Sequence, residues 1–230
     1  MRNVLVTGGT RGLGLGIART LAGSGFLMVA LARKDTDALA AARDESARDG
    51  RGALHFQAYD LEDIDGIGAL VKSLRAGFGP FYGLVNNAGI GTSGILANMP
   101  DSAIERLIRL NVTSPLTLTL TLTLTLTLTK YLVRSMMTGQ GGRIVNVSSI
   151  VGATEVRPLG ITVNAVAPGF VEADLTHEMN PGHRDKIARR SALHRMPEVA
   201  DVANAVDFLF SEKAQNITGI DMTIDAGNTA

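Results

Sequence analysis

The first residues able to do chemistry are glycines: "TGGTRGLG", residues 7–14, follows a β-branched run and leads into an amphipathic one. Glycines at that spacing let a backbone turn tightly and approach a diphosphate, whose charge is stabilised by the unpaired amides at the head of the next helix. Gly8, Thr10, Arg11, Gly12, Leu13 and Gly14 are therefore candidate phosphate-cradle residues. A P-loop is excluded, because no Lys-Ser/Thr pair follows the last glycine. A purely structural strand-to-helix turn is the competing reading, and the motifs that follow weigh against it. Absences narrow the remaining chemistry. None of the 230 residues is cysteine, which removes disulfides, thiolate nucleophiles and thiolate-bound metals. The four histidines, His55, His177, His183 and His194, lack the spacing of metal ligands, so no metal is expected.

A cradle of this kind needs a strand before it and a helix after it. Short β-branched or apolar runs at 3–7, 27–32, 53–58, 83–86, 143–147, 161–166 and 221–224 alternate with amphipathic stretches. The alternation predicts an α/β fold: one Rossmann-type, doubly wound parallel sheet of about seven strands with helices on both faces. Helical patterns fit 14–22, 36–48, 63–76 and 102–110, with Gly25, Gly50 and Gly77 as stop signals, and a further one lies in "EVADVANAVDFLF". The length suits one dinucleotide-binding and catalytic domain over residues 1–230. Twenty-two basic and 22 acidic residues cancel, so no global field draws the chain to nucleic acid or anionic lipid. The opening "MRNVLVTGG" lacks the features of a signal peptide, and no apolar run approaches the ~18 residues of a membrane span. A cytoplasmic protein is expected.

Two stretches break the regularity. Residues 116–129 are seven consecutive Leu-Thr pairs, a strand-like alternation where a crossover helix is due, and no function is assigned to them. Between the fifth and sixth predicted strands only about a dozen residues remain, the lower limit for a parallel crossover. Gly152, Pro158 and Gly160 there disfavour a face-covering helix, so part of one sheet face is expected to lie bare.

Taken in order, the motifs resemble the short-chain dehydrogenase/reductase family over nearly the whole chain, particularly its 3-oxoacyl-[acyl-carrier-protein] reductase-like branch. "TGGTRGLG" is similar to the family's cofactor loop, "NNAG" at 86–89 to its central-strand motif, and Asn111 in "RLNVTSP" to its helix asparagine. "GRIVNVSS" resembles the catalytic serine strand with Ser149 at the serine, "ITVNAVAPGFVEADLT" the segment closing over the nicotinamide, and "ITGIDMTIDAG" the last strand. The resemblance implies reduction of a carbonyl by hydride transfer, with Ser149 orienting the carbonyl and Asn111 helping to anchor a water-mediated proton path. It also implies that Asp60 and Leu61 contact the adenine, that Asn87 and Gly89 line the adenosine ribose side, and that Val171 meets the nicotinamide amide. A homotetramer is implied, as is a small carbonyl substrate, a 3-oxoacyl thioester on acyl carrier protein or a similar ketone. The stretch 172–194 is expected to be a loop lidding it.

Cofactor choice follows from charge. NAD enzymes of this class carry an acidic residue at the end of the second strand, which would repel a 2′-phosphate. Here "LARKD" puts Ala32 in that place and Arg33 after it, with Arg11 in the cradle nearby, so NADP(H) is expected over NAD(H). Solvated loop charge is the competing reading of Arg33 and Lys34.

One part is missing. In the family a tyrosine gives the proton while a lysine four residues later lowers its pKa from the ordinary ~10. The tyrosines here are Tyr59, Tyr82 and Tyr131, and none has that lysine. By comparison with the family, about two dozen residues are lacking between Thr154 and Glu155, and the Leu-Thr run is about ten too long. Three readings stay open: the protein carries a segment there that this sequence omits; it was shortened to a catalytically silent nucleotide-binding shell; or another residue, with Tyr131 nearest, supplies the proton.

Overall fold

The computed structural model describes residues 1–89, 100, 102, 132, 133, 136, 141–147, 160–171 and 180–229. Seven strands form one parallel sheet: β1 (Asn3–Thr7), β2 (Leu27–Ala32), β3 (Ala53–Ala58), β4 (Phe81–Asn86), β5 (Gly142–Val147), β6 (Ile161–Pro168) and β7 (Asp221–Ile224). Their order is β3-β2-β1-β4-β5-β6-β7. The winding reverses between β1 and β4, and ligands of doubly wound sheets bind outside the carboxyl ends of the strands at such a reversal. Gly8 to Gly14 and Asn87 to Gly89 sit there, because they directly follow β1 and β4.

Helices cover both faces. On one side α1 (Gly12–Gly23), α2 (Asp37–Asp49) and α5 (Val199–Phe210) bury Ile17, Leu21, Leu39, Val202, Val206 and Phe210 against Val4, Val6, Met28 and Val85. Gly16 makes the α1–α5 contact close: a Cβ there would stand 2.2 Å from Val199 Cγ1. On the other side α3 (Ile67–Phe78) buries Ile67, Leu70, Val71 and Leu74 against Leu5, Val29, Leu31 and Leu84. A further helix, α4 (Pro181–Arg190), precedes α5.

The strands fall where β-branched runs predict them. The helix boundaries differ in instructive places. α3 starts at Ile67 rather than 63, because residues 59–66 form a turn in which Tyr59 donates to the Asp63 carbonyl (2.5 Å) and the Asp63 carboxylate accepts from Gly66 N (3.0 Å). It ends at Gly79, whose φ of 84° breaks the helix, and not at Gly77. The expected lid loop holds α4, capped by the Asn180 side chain accepting from Gly182 N (2.9 Å) with Pro181 at the first position. Among the described residues the bare face is not found over β5 and β6, although Asp221 and Thr223 on one face of β7 are exposed. Ile144, Ile161 and Val163 are buried in one core and Val145 and Val166 in the other, so β5 and β6 are covered on both sides. The Leu-Thr run and, Ser102 apart, the helix expected over 102–110 lie outside the described residues.

Candidate active site

The glycine cradle is held by side chains as well as by its own backbone. Thr7, the last residue of β1, is buried, and its hydroxyl accepts from Asn87 N (3.0 Å) and Ala88 N (2.9 Å) while donating to the Val85 carbonyl (3.4 Å). The Asn87 amide donates in return to the carbonyls of Thr7 (3.0 Å) and Gly8 (3.3 Å). The β4 motif thus clamps the β1 loop across the reversal point. Gly8 N bonds the Leu31 carbonyl (2.8 Å), tying the loop to β2 as well. Thr7 is the residue that sequence reasoning missed here, although its place directly before the glycines was visible.

The glycines are required by space. Gly8 and Gly12 have φ of 65° and 51°, a backbone region that side-chain-bearing residues rarely adopt. A Cβ on Gly14 would lie 2.2 Å from the Gly8 carbonyl oxygen and 2.4 Å from Asn87 Nδ2, and one on Gly9 would lie 2.7 Å from Val6 Cγ1. The loop is therefore bare backbone pressed between β1, β2, β4 and α1. Arg11 stands at the N-cap of α1 in an extended conformation and makes no side-chain cap bond, so the first-turn amides of Gly12, Leu13 and Gly14 are left for an anion. Thr10 is buried and Arg11 exposed. These features fit a dinucleotide diphosphate.

At the end of β2, Arg33 and Lys34 are exposed, and among the described residues neither has an acidic partner. The next two residues are committed. The Asp35 carboxylate accepts from Thr36 N (2.8 Å) and pairs with Arg43 (2.8 Å). The Thr36 hydroxyl donates to the Thr10 carbonyl (2.6 Å) and accepts from Leu39 N (3.1 Å), capping α2. Register Ala32↔Ala58 brings the end of β3 alongside, where Asp60 is exposed and its carboxylate accepts from Glu62 N (3.0 Å). Leu61 is buried in the core. Gly89 is exposed after β4.

The structure brings together residues 8–14, Asn87 and Gly89, and sets the β2 and β3 ends beside them. Val171, after β6, belongs to the other flank and is buried in the core. Its loop is fixed by Gly169, whose N bonds the Ile224 carbonyl (2.9 Å) and where a Cβ would lie 2.6 Å from Asp225 Cβ. Asp225 accepts from Gly227 N (2.8 Å), Thr229 N (2.8 Å) and the Thr229 hydroxyl (2.6 Å). The Thr229 hydroxyl bond leads in holding its carboxyl below the ordinary aspartate range, against the opposing effect of burial. Ser149 and Asn111 lie outside the described residues, as does Tyr131.

The two remaining tyrosines are poorly placed to give a proton. Tyr59 follows β3, and burial, with Asp63 next, raises its pKa to about 12, the opposite of what a proton donor at neutral pH needs. Tyr82 opens β4 at the amino edge of the sheet, under the guanidiniums of Arg2 (4.6 Å from the ring centre) and Arg143 (5.7 Å), away from the cradle. Near the carboxyl ends of β4 and β5, Asn86 donates to Asn146 (2.8 Å), leaving Asn86 Oδ1 and Asn146 Nδ2 buried with no partner.

Comparisons with known proteins converge on one group. A family model described as "short chain dehydrogenase" matches residues 2–157, and one described as "Enoyl-(Acyl carrier protein) reductase" matches 151–229. Their overlap, residues 151–157, spans Thr154 and Glu155. The 3-oxoacyl-[acyl-carrier-protein] reductase FabG of Escherichia coli is 32% identical, covering 97% of this chain and 95% of the relative. That of Haemophilus influenzae is 32% identical, covering 97% and 96%. The Escherichia coli comparison runs over 247 positions, more than the 230 residues of this chain, so the relative has residues without a counterpart here. Among solved structures, a short-chain type dehydrogenase/reductase of Mycobacterium ulcerans matches with TM-score 0.82 and 28% identity, over 99% of this chain and 89% of that one. The L-sorbose reductase of Gluconobacter frateurii, solved with NADPH and L-sorbose, matches with TM-score 0.82 and 26% identity, over 98% and 95%.

Proposed function

The chain belongs to the short-chain dehydrogenase/reductase family of NAD(P)-dependent oxidoreductases acting on CH–OH and C=O groups, and from that premise we propose an NADPH-dependent reductase of a 3-oxoacyl thioester or similar small ketone. The observation that carries the cofactor part is the packing at Gly14, where nothing larger than hydrogen fits against the Gly8 carbonyl. Only bare backbone lets a diphosphate approach the amides of Gly12, Leu13 and Gly14. Gly8 and Thr10 shape the loop, Arg11 and Arg33 supply the positive charge for a 2′-phosphate, and Asp60, Leu61, Asn87 and Gly89 line the adenosine side. Asn87 acts chiefly through its two bonds to the loop carbonyls. Val171 stands at the position that the family resemblance assigns to the nicotinamide amide. The substrate class is supported by the similarity to FabG proteins, and NADPH by Ala32 in place of an acid with Arg33 after it.

When bound, the nicotinamide supplies a hydride to the carbonyl carbon. The chain's own part is to hold that carbonyl, while the proton its oxygen takes up comes from a donor in the segment that the first reading places between Thr154 and Glu155, so that ketone, hydride and proton make the secondary alcohol. Ser149 orients the oxygen by hydrogen bonding and Asn111 anchors the proton path. Exposed Phe208 on α5 and Ile220 beside β7 support a homotetramer built on that edge, and a cytoplasmic enzyme is the matching location.

The absence of Tyr-x-x-x-Lys favours a second reading, a nucleotide-binding shell without turnover. One experiment separates them. Intact mass and peptide mapping across Thr154–Glu155, together with NADPH oxidation by a 3-oxoacyl thioester, are measured on one preparation. A mass above the 24.2 kDa of this sequence with turnover is the expected result. A mass of 24.2 kDa with cofactor binding and no oxidation of NADPH by any ketone establishes the shell.

A further inference from the structure

Recognition of a 2′-phosphate demands more than a cation of the right charge. Guanidinium–phosphate bonds are directional, and an arginine on an exposed turn contributes only if the backbone beneath it is fixed. Arg33 and Lys34 are exposed, on a turn of four residues between β2 and α2. What fixes that turn is on its far side. Asp35 accepts from Thr36 N (2.8 Å) and from Arg43 of α2 (2.8 Å). Thr36 reaches in two directions with one oxygen: it accepts from Leu39 N (3.1 Å) in the first turn of α2 and donates to the Thr10 carbonyl (2.6 Å) inside the glycine cradle.

The two sides of this link are unequally anchored. The cradle is held independently, by Gly8 N on the Leu31 carbonyl (2.8 Å), by the Asn87 amide on Thr7 and Gly8, and by Gly9 pressed against Val6 and Ala30. Among the described residues the turn has no comparable clamp onto the cradle. Severing the link therefore releases the turn and leaves the cradle in place. A ligand that uses only the cradle is spared, and one that also uses Arg33 is not.

We infer that Thr36 is a specificity-determining positioning residue: it touches no nucleotide, yet by tying the Arg33–Lys34 turn to the Thr10 carbonyl it sets the preference for a 2′-phosphorylated dinucleotide. This deepens the cofactor reading given above and rests on it.

The test is calorimetric titration of NADPH and NADH into the wild-type protein and three variants, beside thermal unfolding. Thr36→Val removes both bonds. Thr36→Gly removes the link but keeps a residue tolerated at helix N-caps, which guards against a variant that fails only by losing its cap. Thr36→Ser keeps the hydroxyl. The expected result is about a tenfold fall in the NADPH-to-NADH affinity ratio for Val and Gly, with NADH binding changed by less than about twofold and the ratio restored by Ser. A wild-type ratio retained in Thr36→Gly overturns the inference and leaves NADPH preference standing. Equal weakening of both nucleotides also overturns it, because Thr36 then supports the cradle as a whole. A wild-type protein binding both nucleotides equally overturns the cofactor reading first, and this inference with it.

Discussion

The two flanks of the sheet's carboxyl edge are built by different means. On the β1–β4 side, side chains clamp one loop to another: Thr7 to the amides of Asn87 and Ala88, Asn87 to Thr7 and Gly8, Thr36 to Thr10. On the β6–β7 side a single carboxylate does the holding, Asp225 gathering Gly227 and Thr229 while Gly169 packs against its Cβ. The turn it forms also receives Ala192 N on the Gly227 carbonyl (3.2 Å) and Leu193 N on the Ala226 carbonyl (3.0 Å), which fixes the chain after α4. The first flank has the bare backbone and the fixed loop that the proposed diphosphate site requires. The described part of the second packs as a turn, and the sequence between Ser149 and β6 holds no Tyr-x-x-x-Lys pair. On the proposed reading, binding and turnover can therefore be tested separately.

Substitutions can break either flank alone. Gly14→Ala strikes the first hardest, since its Cβ would sit 2.2 Å from the Gly8 oxygen. Displacing the cradle should weaken both nucleotides by about a hundredfold or more in calorimetry, while the β6–β7 turn is unaffected. Arg33→Ala is narrower. Losing a charge-assisted phosphate contact should weaken NADPH by roughly 10- to 100-fold and leave NADH unchanged.

Asp225→Asn tests the second flank. Its carboxyl is held below the ordinary aspartate value, so the ionised form is favoured by folding. That contribution is full above the unfolded value of ~3.9 and is lost as pH falls through the lower folded value. The variant should unfold about 2–4 °C lower near neutral pH, and below pH 4 its midpoint should fall less steeply than that of the wild type. Nucleotide affinity should change little. The smallest effect is expected from Arg43→Gln, which unmasks the Asp35 charge beside the turn. The pair is partly exposed, so NADPH affinity should drop only about two- to threefold, and more at low salt than at high.

The first flank was largely legible in the sequence, because its requirements are local. A glycine run after a β-branched strand, and Ala32 followed by Arg33 where an acid would repel a 2′-phosphate, each state their purpose within a few residues. Thr36 was visible as a helix start, but its bond to Thr10 spans 26 positions and exists only once β1 and β2 lie side by side. α4 was hidden for another reason. "PGHRDKIARR" buries Ile187 alone among its described side chains, so no apolar stripe announces it, and only Asn180-Pro181 marks its start. At α3 the sequence reading takes Gly77 as the stop, whereas the helix runs through it and ends before Gly79, whose φ is 84°. The catalytic assignments, Ser149 and Asn111, rest on motif resemblance and fall outside the described residues.

The central claim is that bare backbone between Gly8 and Gly14, with arginine beside it, receives a dinucleotide and selects its phosphorylated form. Calorimetric titration of the purified wild-type protein with each nicotinamide nucleotide, in the absence of any carbonyl substrate, tests it most directly. The account predicts one site per chain and NADPH binding at least about tenfold tighter than NADH, the worth of one charge-assisted phosphate contact. Absence of heat and of any stabilisation with either nucleotide would contradict it.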